Sequence, residues 1–303
     1  MTDQIRRPRR SQLAVPGSNQ KMIEKAAASK ADHVFLDLED AVAPLAKDGA
    51  RKTVIAALRD LDWGKKTRCV RINDLRTAWC FRDIIEVVSG AREAIDTIMV
   101  PKAMDARDIF FVATLLDQLE SELGMTKRIG LEVLIEETAG LMNVESICAA
   151  SPRMESVIFG MGDYSASHGI EASAAGGSSQ YPGDVWHYAR FRIVMAARAA
   201  GIDPIDGPYA NFKKLEGYQE ECQRAMILGM AGKWAIHPSQ IDAALEAFTP
   251  PAQQIAKARQ MEVAYAQAEA EGLGSVNIGG MMIDAASIRI LRNITAKADL
   301  FGL

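Results

Sequence analysis

The sequence contains few cysteines, and they lie far apart. Cys69, Cys80, Cys148 and Cys222 are the four among 303 residues, and no two of them form a Cys-x-x-Cys pair. A zinc site or a disulfide framework is therefore not expected. Cys69 falls in a strand-like apolar run and Cys148 in a helical pattern, so we interpret both as small residues of the core.

The chain also lacks any long hydrophobic run and any excess of positive charge. No apolar segment approaches the ~20 residues that a membrane-spanning helix needs. The formal net charge of -4 at pH 7 gives no electrostatic reason to expect nucleic-acid binding. These absences, together with the scattered cysteines, favour a cytoplasmic protein, and an organelle matrix would also suit them.

A secretory signal is missing from the start of the chain as well. The first ten residues, MTDQIRRPRR, are basic but lack the apolar stretch of such a signal. We expect them to form a solvated tail. The alternative is an arm whose arginines grip a neighbouring subunit or a phosphate.

Eight short apolar runs, each ending in polar or charged residues, are the main pattern that is present. Nearly continuous apolar runs are typical of parallel strands that are buried on both faces. Eight strand-then-helix units close a (β/α)8 TIM barrel, so we predict an α/β protein of this architecture. The predicted strands are Ser11–Gly17, His33–Asp40, Thr67–Asn73, Thr97–Lys102, Ile129–Glu136, Ser156–Asp163, Pro204–Tyr209 and Lys233–Pro238.

The segments between these runs have the apolar spacing of helices. Ser18 is the expected N-cap of the first helix, and Gly201 and Gly229 are the expected ends of two later ones. The predicted helices are Asn19–Ser29, Lys47–Leu58, Phe81–Val88, Ala106–Leu123, Leu141–Ala150, Trp186–Ala200 and Leu215–Leu228.

Two segments depart from this repeat. The connection after the sixth strand contains Ala172–Gly183, rich in small residues and turn formers, and we interpret it as a lid or a substrate-contacting loop rather than a disordered excursion. After a Pro-Pro pair, the helical patterns Ala252–Glu271 and Ala285–Ala298 flank a glycine-rich stretch that is expected to turn sharply. We assign residues 1–246 to the barrel and residues 247–303 to a C-terminal helical extension.

Acidic residues end two consecutive predicted strands, at the face where such barrels place their active sites. Glu136 ends the fifth strand and Asp163 the sixth. Neighbouring strands lie about 5 Å apart, so the two carboxylates can share one hard divalent cation, magnesium or manganese. The alternative is that both acids form structural ion pairs with Arg71 or Lys102.

The second predicted strand ends in three acids. Asp37 and Glu39 are two residues apart and share one face, whereas Asp40 points elsewhere. If that face is the barrel interior, both acids need a partner, because an unpaired buried carboxylate is costly. Arg71, at the end of the next strand, is the candidate, and it could present its remaining donors to a substrate carboxylate or carbonyl. The alternative is a salt bridge at the rim without a further role.

A lysine near the acidic residues suggests Schiff-base catalysis as an alternative to a metal-dependent reaction. A desolvated Lys102, at the end of the fourth strand, could form a Schiff base with a carbonyl substrate. Lys233 enters the eighth strand, and we expect it far from the catalytic face.

The first strand–helix turn could bind an anionic ligand, because free amides at a helix start favour anions. Lys21 and Lys25 follow this turn on one face of the helix.

These motifs together resemble the citrate lyase β-subunit-like (HpcH/HpaI aldolase/citrate lyase) family, especially its malyl-CoA lyase branch. The matching stretches are LAVPGSN, FLDLEDAVAP, VRIN, VPK, LEVLIEETAG, FGMGDY, IDGPY, GKWAIHPSQI and MIDAASI. They run in this order from residue 13 to residue 288, so the resemblance covers nearly the whole chain.

The resemblance implies a barrel enzyme that makes or breaks a carbon–carbon bond in an acyl-CoA thioester and uses magnesium. Glu136 and Asp163 match the family's metal ligands. Arg71 matches the arginine that faces the α-keto acid carbonyl, and Asp37 and Glu39 match the acids around it.

Further ligand contacts follow from the same resemblance. Gly162 and Asp163 line the keto-acid pocket. The residues that match CoA-binding or other ligand-contacting stretches are Ser18, Asn19, Lys25, Ile236 and His237.

Asp284 precedes a helical run and, by itself, is an ordinary N-cap. By resemblance it matches the acid/base aspartate of a C-terminal lid, which one subunit supplies to its neighbour's active site. This implies an obligate homo-oligomer, a trimer or a dimer of trimers.

The implied reaction is the magnesium-dependent, reversible cleavage of (S)-malyl-CoA to glyoxylate and an acetyl-CoA enolate. In this reaction, Arg71 would polarise the forming carbonyl, and Asp284 would transfer a proton to or from the enolate carbon. Relatives that also act on β-methylmalyl-CoA often have a longer insertion after the sixth strand, whereas the segment SAAGGSSQYPGD here is short. This difference leaves open the keto acid, glyoxylate or pyruvate, and the acyl group, acetyl or propionyl. The open alternatives are a citramalyl-CoA or β-methylmalyl-CoA lyase with pyruvate or glyoxylate as keto acid, a malyl-CoA thioesterase, an aldolase of free hydroxy-keto acids, and a non-catalytic subunit of a lyase complex.

Overall fold

Eight parallel strands close into a barrel, which confirms the predicted (β/α)8 architecture. The structure, a computed structural model, describes residues 5–171 and 183–303, so the interpretation of residues 172–182 as a lid lies outside the described residues. Each strand pairs in parallel with the next, and β8 pairs with β1. The strands are β1 Ser11–Pro16, β2 His33–Asp37, β3 Thr67–Arg71, β4 Thr97–Val100, β5 Gly130–Ile135, β6 Met154–Phe159, β7 Asp203–Asp206 and β8 Gly232–Ala235.

Most predicted strands extend too far at their carboxyl ends. The sheet ends before the charged residues that were expected to finish β2, β4, β5 and β6. Glu39, Lys102, Glu136 and Asp163 therefore lie in or beyond the loops that follow, where their side chains are not confined to one face of a strand.

Helices surround the barrel on the outside. The described helices are α1 Gln20–Ala27, α2 Lys47–Asp60, α3 Cys80–Ala91, α4 Ala106–Leu123, α5 Thr138–Met142, α6 Val144–Cys148, α7 Met161–His168, α8 His187–Ala200, α9 Leu215–Leu228, α10 Ile241–Phe248, α11 Ala252–Ala270 and α12 Ala285–Phe301.

Two local predictions about helices are wrong. The N-cap of α1 is Asn19, not Ser18, because the Asn19 side chain accepts the Met22 backbone N–H at 3.1 Å. The predicted helix over residues 141–150 is two short helices, interrupted at Asn143, whose side chain instead donates to the Met104 carbonyl at 2.8 Å.

The barrel interior changes character along its axis. Its middle layer is apolar, as is expected for a packed barrel, and contains Phe35, Cys69, Met99, Leu134, Ile158, Ile205 and Trp234. The layer toward the N-terminal ends of the strands is polar and centred on Glu132, while the carboxyl ends carry the charged residues described below. All four cysteines are buried and free, as expected for residues of the core.

Part of the N-terminal segment packs against the barrel instead of forming a solvated tail. Arg9 is 2% exposed, and its Nη2 lies 2.5 Å from a Glu155 carboxylate oxygen. Arg10 forms a two-pronged ion pair with Asp32, with both distances 2.7 Å. The expectation of a solvated tail is wrong here because carboxylates at the N-terminal ends of the strands attract the arginines.

The C-terminal segment is a helix, a hairpin and a second helix. The glycine-rich stretch between α11 and α12 forms the antiparallel strands β9 (Ser275–Ile278) and β10 (Met281–Asp284), with Gly279 and Gly280 both at positive φ in the two-residue turn. These elements share a small apolar cluster formed by Met261, Tyr265, Ile283 and Ile288. No helix among the described residues is long and apolar enough to span a membrane.

Candidate active site

An arginine held by a buried aspartate forms one side of the candidate site. Asp37 and Arg71 end adjacent strands and are paired in register. Arg71 donates from Nε and Nη2 to the two Asp37 oxygens, both at 2.7 Å, and Asp37 also accepts the backbone N–H groups of Glu39 and Ala41. Burial alone would raise the pKa of Asp37, but these donors outweigh it and hold the pKa below its usual value. The guanidinium is thus fixed in one orientation, as expected.

Glu39 is the second acid beside this arginine. Its Oε2 lies 3.0 Å from Arg71 Nη1, and its Oε1 accepts from Lys102 Nζ at 2.7 Å. The Oε2 atom is buried and has no aligned hydrogen bond within the part of the chain that the structure describes. Burial raises the pKa of Glu39 in spite of both cations. The Glu39 carboxylate could therefore accept a further hydrogen bond or bind a cation.

Lys102 connects the two halves of the site. Its ammonium lies 2.7 Å from Glu39, 3.2 Å from Asp163 and 3.5 Å from Asp40, and its backbone has a positive φ of 49°. Burial would lower the pKa of Lys102, but the carboxylates outweigh it and raise the pKa above its ordinary value. A Schiff-base lysine needs the opposite environment, one that releases the proton.

Glu136 lies directly after β5 and is 4% exposed. Its Oε1 accepts the Lys102 backbone N–H at 2.9 Å. Burial and the nearby carboxylates of Glu39 and Asp163 raise the pKa of Glu136 well above its ordinary value, although Arg71 opposes them. Such a shift indicates a carboxylate with too little positive charge around it.

Gly160 allows the next loop to pass close to Glu136. A Cβ at this position would lie 2.6 Å from the Glu136 Cβ and 2.9 Å from its Oε2. The loop leads into the first turn of α7, where Gly162 is exposed and Asp163 is 45% exposed at its side chain. The negative charge of Asp163 is favourable near a helix N-terminus.

The charge balance of the site favours a bound cation. Five carboxylates, those of Asp37, Glu39, Asp40, Glu136 and Asp163, meet the two cations Arg71 and Lys102. The available donors are all carboxylate oxygens, which suit magnesium or manganese. The excess of carboxylates over cations, and a Glu39 oxygen that pairs with Arg71 without an aligned hydrogen bond, mean that the residues present fit such an ion.

The first strand–helix turn lies beside the arginine clamp. Gly17 donates its N–H to the Asp37 carbonyl at 2.8 Å, and a Cβ on Gly17 would lie 2.7 Å from that oxygen. Ser18 and Asn19 follow at the surface, and Lys25 is exposed on α1. The structure thus brings Ser18 and Asn19 near the site and leaves Lys25 on an outer helix.

Ile236 and His237 follow β8. The Ile236 N–H donates to Gln240 Oε1 at 2.8 Å. His237 is exposed, its ring stacks on Phe212 with centroids 4.8 Å apart, and its Nδ1 accepts the Ser239 N–H at 3.2 Å. His237 therefore caps the short 3-10 turn that follows, with Nε2 directed away from that contact.

Asp284 is not brought to the site within this chain. Its Oδ1 accepts the N–H and the hydroxyl of Ser287, both at 2.8 Å, as the N-cap of α12. These hydrogen bonds lower the pKa of Asp284. No contact recorded among residues 5–171 and 183–303 joins it to Arg71 or Glu136.

Sequence reasoning missed some residues that support the site. Lys102 was considered as a nucleophile or as an ion-pair partner of Glu136 and Asp163, but its contacts with Glu39 and Asp40 were not foreseen. Lys47 is buried and donates to the carbonyls of Leu38 and Glu39 at 2.8 and 2.9 Å, which fixes the loop after β2. Nothing in the local pattern marks a lysine eight residues beyond Glu39, but the glycine at position 160 was a usable sign of close packing.

A second group of ligand-like side chains lies deeper in the barrel. His33, Cys69 and Glu132 are buried and close enough to hold a metal. The Glu132 carboxylate is already occupied, because it accepts from His33, Thr97, Ser156, Gln12 and Arg9. Burial raises the pKa of the Cys69 thiol well above its usual value, which disfavours the thiolate. The donors around Glu132 therefore make this group a structural network, although His33 Nδ1 has no hydrogen-bond partner among the described residues.

Lys233 is fully buried in an ion-pair cluster, and its expected distance from the catalytic face stays a prediction. Its Nζ is 2.6 Å from Asp206 and 2.8 Å from Glu221, and Arg190 Nε donates to Asp206 at 2.9 Å. The cluster joins β7 and β8 to the outer helices.

Comparisons with known proteins find similarity over nearly the whole chain. The HpcH/HpaI aldolase/citrate lyase family matches residues 10–238. The L-malyl-CoA/beta-methylmalyl-CoA lyase of Cereibacter sphaeroides is 42% identical over 98% of this chain and 96% of its own length. The (3S)-malyl-CoA thioesterase of the same species is 32% identical, covering 96% of this chain and 95% of its own.

A solved structure is similar over the same extent. CitE from Mycobacterium tuberculosis, in complex with magnesium, acetoacetate and coenzyme A, has a TM-score of 0.74 and 30% identity, covering 95% of this chain and 97% of its own.

Proposed function

We propose that this chain, which belongs to the HpcH/HpaI aldolase/citrate lyase family, cleaves (S)-malyl-CoA to acetyl-CoA and glyoxylate with magnesium and also runs the reverse condensation. It is a carbon–carbon lyase of the malyl-CoA lyase type. The observation that carries the proposal is geometric: the buried carboxylate of Glu136 lies beside Asp163 and the Asp37–Arg71 pair at the carboxyl ends of the strands. This arrangement offers a cation site next to a fixed guanidinium.

Glu136 and Asp163 are the residues that would hold the metal. When bound, magnesium supplies Lewis-acid polarisation of the keto-acid oxygens. Lys102 partly offsets the negative charge of Asp163 and Glu39, and the solved relative with bound magnesium supports a magnesium site in this family.

Arg71 is assigned to the oxygen of the keto acid. Asp37 holds two of its donor groups, and Nη1 remains beside Glu39 at the open end of the barrel. A positive charge fixed in this way can stabilise the oxygen that gains negative charge during condensation and can polarise the forming carbonyl during cleavage. Gly162, which has open space where a Cβ would be, leaves room for the keto acid beside Asp163.

The CoA part of the substrate is assigned to the exposed rim. Ser18 and Asn19 lie in the turn next to Asp37, and Ile236 and His237 follow β8, which is adjacent to β1. Lys25, on α1, supplies a positive charge for the phosphates. CoA in the solved relative supports a thioester substrate.

Asp284 is proposed as the acid/base group, supplied by a neighbouring subunit. It lies in the segment 247–303, which we propose as a C-terminal extension to the barrel of residues 1–246. In the single chain, hydrogen bonds from Ser287 lower the pKa of Asp284. In a neighbouring subunit's site, released from these donors, its carboxylate would remove a proton from the acetyl carbon and return it in the cleavage direction. The proposal requires a homo-oligomer, a trimer or a dimer of trimers. The four free cysteines suit a reducing compartment, so the proposed location is the cytoplasm.

A product assay tests the proposed reaction. The purified protein is incubated with (S)-malyl-CoA, with and without Mg²⁺, and glyoxylate, acetyl-CoA and free CoA are quantified separately. The proposal predicts equal amounts of glyoxylate and acetyl-CoA that form only with the metal. β-Methylmalyl-CoA and citramalyl-CoA, assayed in parallel, define the acyl and keto-acid range.

Thioester hydrolysis is the second candidate, favoured by the malyl-CoA thioesterase among the relatives. Free CoA and malate without glyoxylate would establish it and contradict the lyase proposal. No turnover of any free CoA thioester would instead favour a subunit that acts only within a lyase complex.

A further inference from the structure

A cavity of about 380 Å³ lies at the N-terminal end of the barrel strands, opposite the candidate active site. Its wall combines the segment before β1, the first residue of β7, the ends of α8 and α9, and the second half of α12. The charged residues that line it are Arg6, Arg7, Arg9, Arg198, Asp203 and Lys297. Its volume lies within the range of about 300–1,000 Å³ that is common for small-ligand sites.

Positive charge exceeds negative charge along this wall. Five of the six charged lining residues are cations, and Asp203 is the acid. Arg7 and Arg9 are already paired with Glu155, so Arg6, Arg198 and Lys297 supply the excess of positive charge. Arg198 donates to the Gly229 carbonyl at 2.7 Å and lies 3.7 Å from Asp203. Lys297, in contrast, makes no hydrogen bond or salt bridge to any residue that the structure describes. The ends of α8 and α9, which carry partial negative charge, are therefore matched by Arg198, while Lys297 has no such partner.

Arg9 forms the buried back of the cavity. It is 2% exposed, and its Nη2 is engaged by Glu155 and Glu132. Its Nε and Nη1 are buried and make no hydrogen bond to the described part of the chain, and Nη1 lies 3.7 Å from Asp203. Unpaired donors on a buried cation are costly, so this side of Arg9 favours an additional acceptor.

The cations also disfavour one another. Burial, followed by the charge of Arg198, lowers the pKa of Lys297, and Asp203 only partly opposes them. Burial also lowers the pKa of Arg198; Asp203 opposes this shift, and the charge of Arg6 makes a smaller contribution in the same direction as burial. Like charges gathered in a partly desolvated cavity are stabilised when an anion binds among them.

We propose that this cavity binds a phosphate-class oxyanion, either free or carried by a small nucleotide. The anion would accept hydrogen bonds from Lys297 of α12 and from Arg198 of α8, with Arg6 at the mouth and Arg9 behind. Binding would join the C-terminal helix to the barrel through a shared ion. The proposal does not depend on the reaction at the other end of the barrel.

Isothermal titration calorimetry with inorganic phosphate, at an ionic strength matched with chloride, tests the proposal on the full chain. We expect saturable binding to the wild type. Lys297→Gln and Arg198→Gln should each weaken it at least about tenfold, the scale of one charge-assisted hydrogen bond. Arg292→Gln, an exposed cation earlier on α12 that does not line the cavity, is the matched control and should bind like the wild type.

Additional variants and a second ligand test where the phosphate binds and whether it is free or part of a nucleotide. Lys25→Gln, at the position assigned to the CoA phosphates, and Arg71→Ala should both retain phosphate binding. Loss of binding in either variant would place the anion in the proposed substrate site and overturn the proposal. AMP that binds with higher affinity than phosphate would identify a nucleotide as the source. Arg6→Gln, at an exposed position that should not affect folding, should also weaken binding. No saturable heat beyond the chloride control, or unchanged binding in the Lys297 and Arg198 variants, would contradict the proposal.

Discussion

Glu132 and Glu136 lie four residues apart along β5 and its following loop, and both are buried, yet their environments are opposite. Glu132 is 0% exposed and accepts from five side chains, so its pKa is held below the ordinary value of 4.5 although burial alone would raise it. Glu136 is 4% exposed and accepts the Lys102 backbone N–H, and its pKa is raised well above 4.5.

The difference separates a structural carboxylate from one that is available to a ligand. Burial acts in the same direction on both groups, so the surrounding donors decide the sign of each pKa shift. The N-terminal end of the barrel supplies His33 and Arg9 to Glu132. The carboxyl end places Glu39 and Asp163 beside Glu136, which is favourable only when a cation is shared among them.

The largest expected effect comes from removing the charge of Glu136. Glu136→Gln should lower the rate of glyoxylate release from (S)-malyl-CoA by about 10³-fold or more, because a catalytic metal contributes several kcal/mol and each 1.36 kcal/mol is tenfold. Asp163→Asn should act in the same way. Metal-free Glu136→Gln should be at least as stable in urea as the wild type, since it removes a buried repulsion. Full magnesium-dependent activity in either variant would exclude the metal assignment.

Asp284→Asn tests whether the active site at the carboxyl ends of the strands needs a residue from another chain. The network around Glu132, at the N-terminal ends, is formed by residues of one chain. We expect a rate loss of ~10²–10⁴, the usual range for a lost acid–base group, without loss of magnesium binding. Mixing inactive Arg71→Ala and Asp284→Asn chains should restore some activity. A wild-type rate would leave Asp284 as a helix cap, and no complementation despite proven subunit exchange would argue against shared sites.

Glu132→Gln should affect stability instead of chemistry. Removing one partner of a buried ion pair costs about 3–5 kcal/mol, because Arg9 and His33 lose the charge that they face. Urea unfolding of metal-free protein measures this loss, with Glu136→Gln as the matched control on the same strand. A Glu132→Gln variant as stable as the wild type would mean that the network around Glu132 contributes little.

Lys102→Met should make the carboxyl end more negative. The Lys102 ammonium lies 3.2 Å from Asp163, so its removal should strengthen magnesium binding by about 1–2 kcal/mol, roughly tenfold. Activity should fall, because Glu39 and Asp163 lose the group that positions them. Calorimetry with magnesium measures the affinity, and weaker binding in the variant would show that Lys102 supports the metal instead of competing with it.

Lowering the pH should distinguish Glu132 from Glu136, with a smaller effect on the free energy of unfolding than the substitutions above. Because the folded-state pKa of Glu132 is lowered, its contribution to stability is present above about pH 4.5 and is lost as the pH falls toward the folded-state value. The free energy of unfolding of the wild type should therefore decrease below that pH, with a smaller slope in Glu132→Gln. Equal slopes, measured by urea unfolding between pH 3 and 6, would contradict the lowered pKa.

Much of the fold was predictable because the strands of a closed parallel barrel are buried on both faces. The apolar runs located all eight, and the charged residues after them predicted which end carries the site. Their exact geometry was not predictable, because the strands end early and loops place Glu39, Lys102 and Glu136.

Other features depend on contacts between residues that are distant in the sequence. Arg9 meets Glu132 more than 120 positions away, so nothing near the N-terminus indicates that it packs beneath the barrel. Lys102 was recognised as a candidate, but its three carboxylate neighbours come from other segments of the chain. The raised pKa of Lys102 was therefore not predictable from its local sequence. Asn19 replaced Ser18 as the cap because either residue suits that role locally.

A calorimetric titration of Mg²⁺ into wild-type protein and into Glu136→Gln, with Glu132→Gln as a folded reference, tests the account most directly. The account predicts one magnesium ion per chain in the wild type and in Glu132→Gln, and no such binding in Glu136→Gln. Equal magnesium binding in Glu136→Gln and the wild type would show that the buried, destabilised carboxylate after β5 is not the metal ligand.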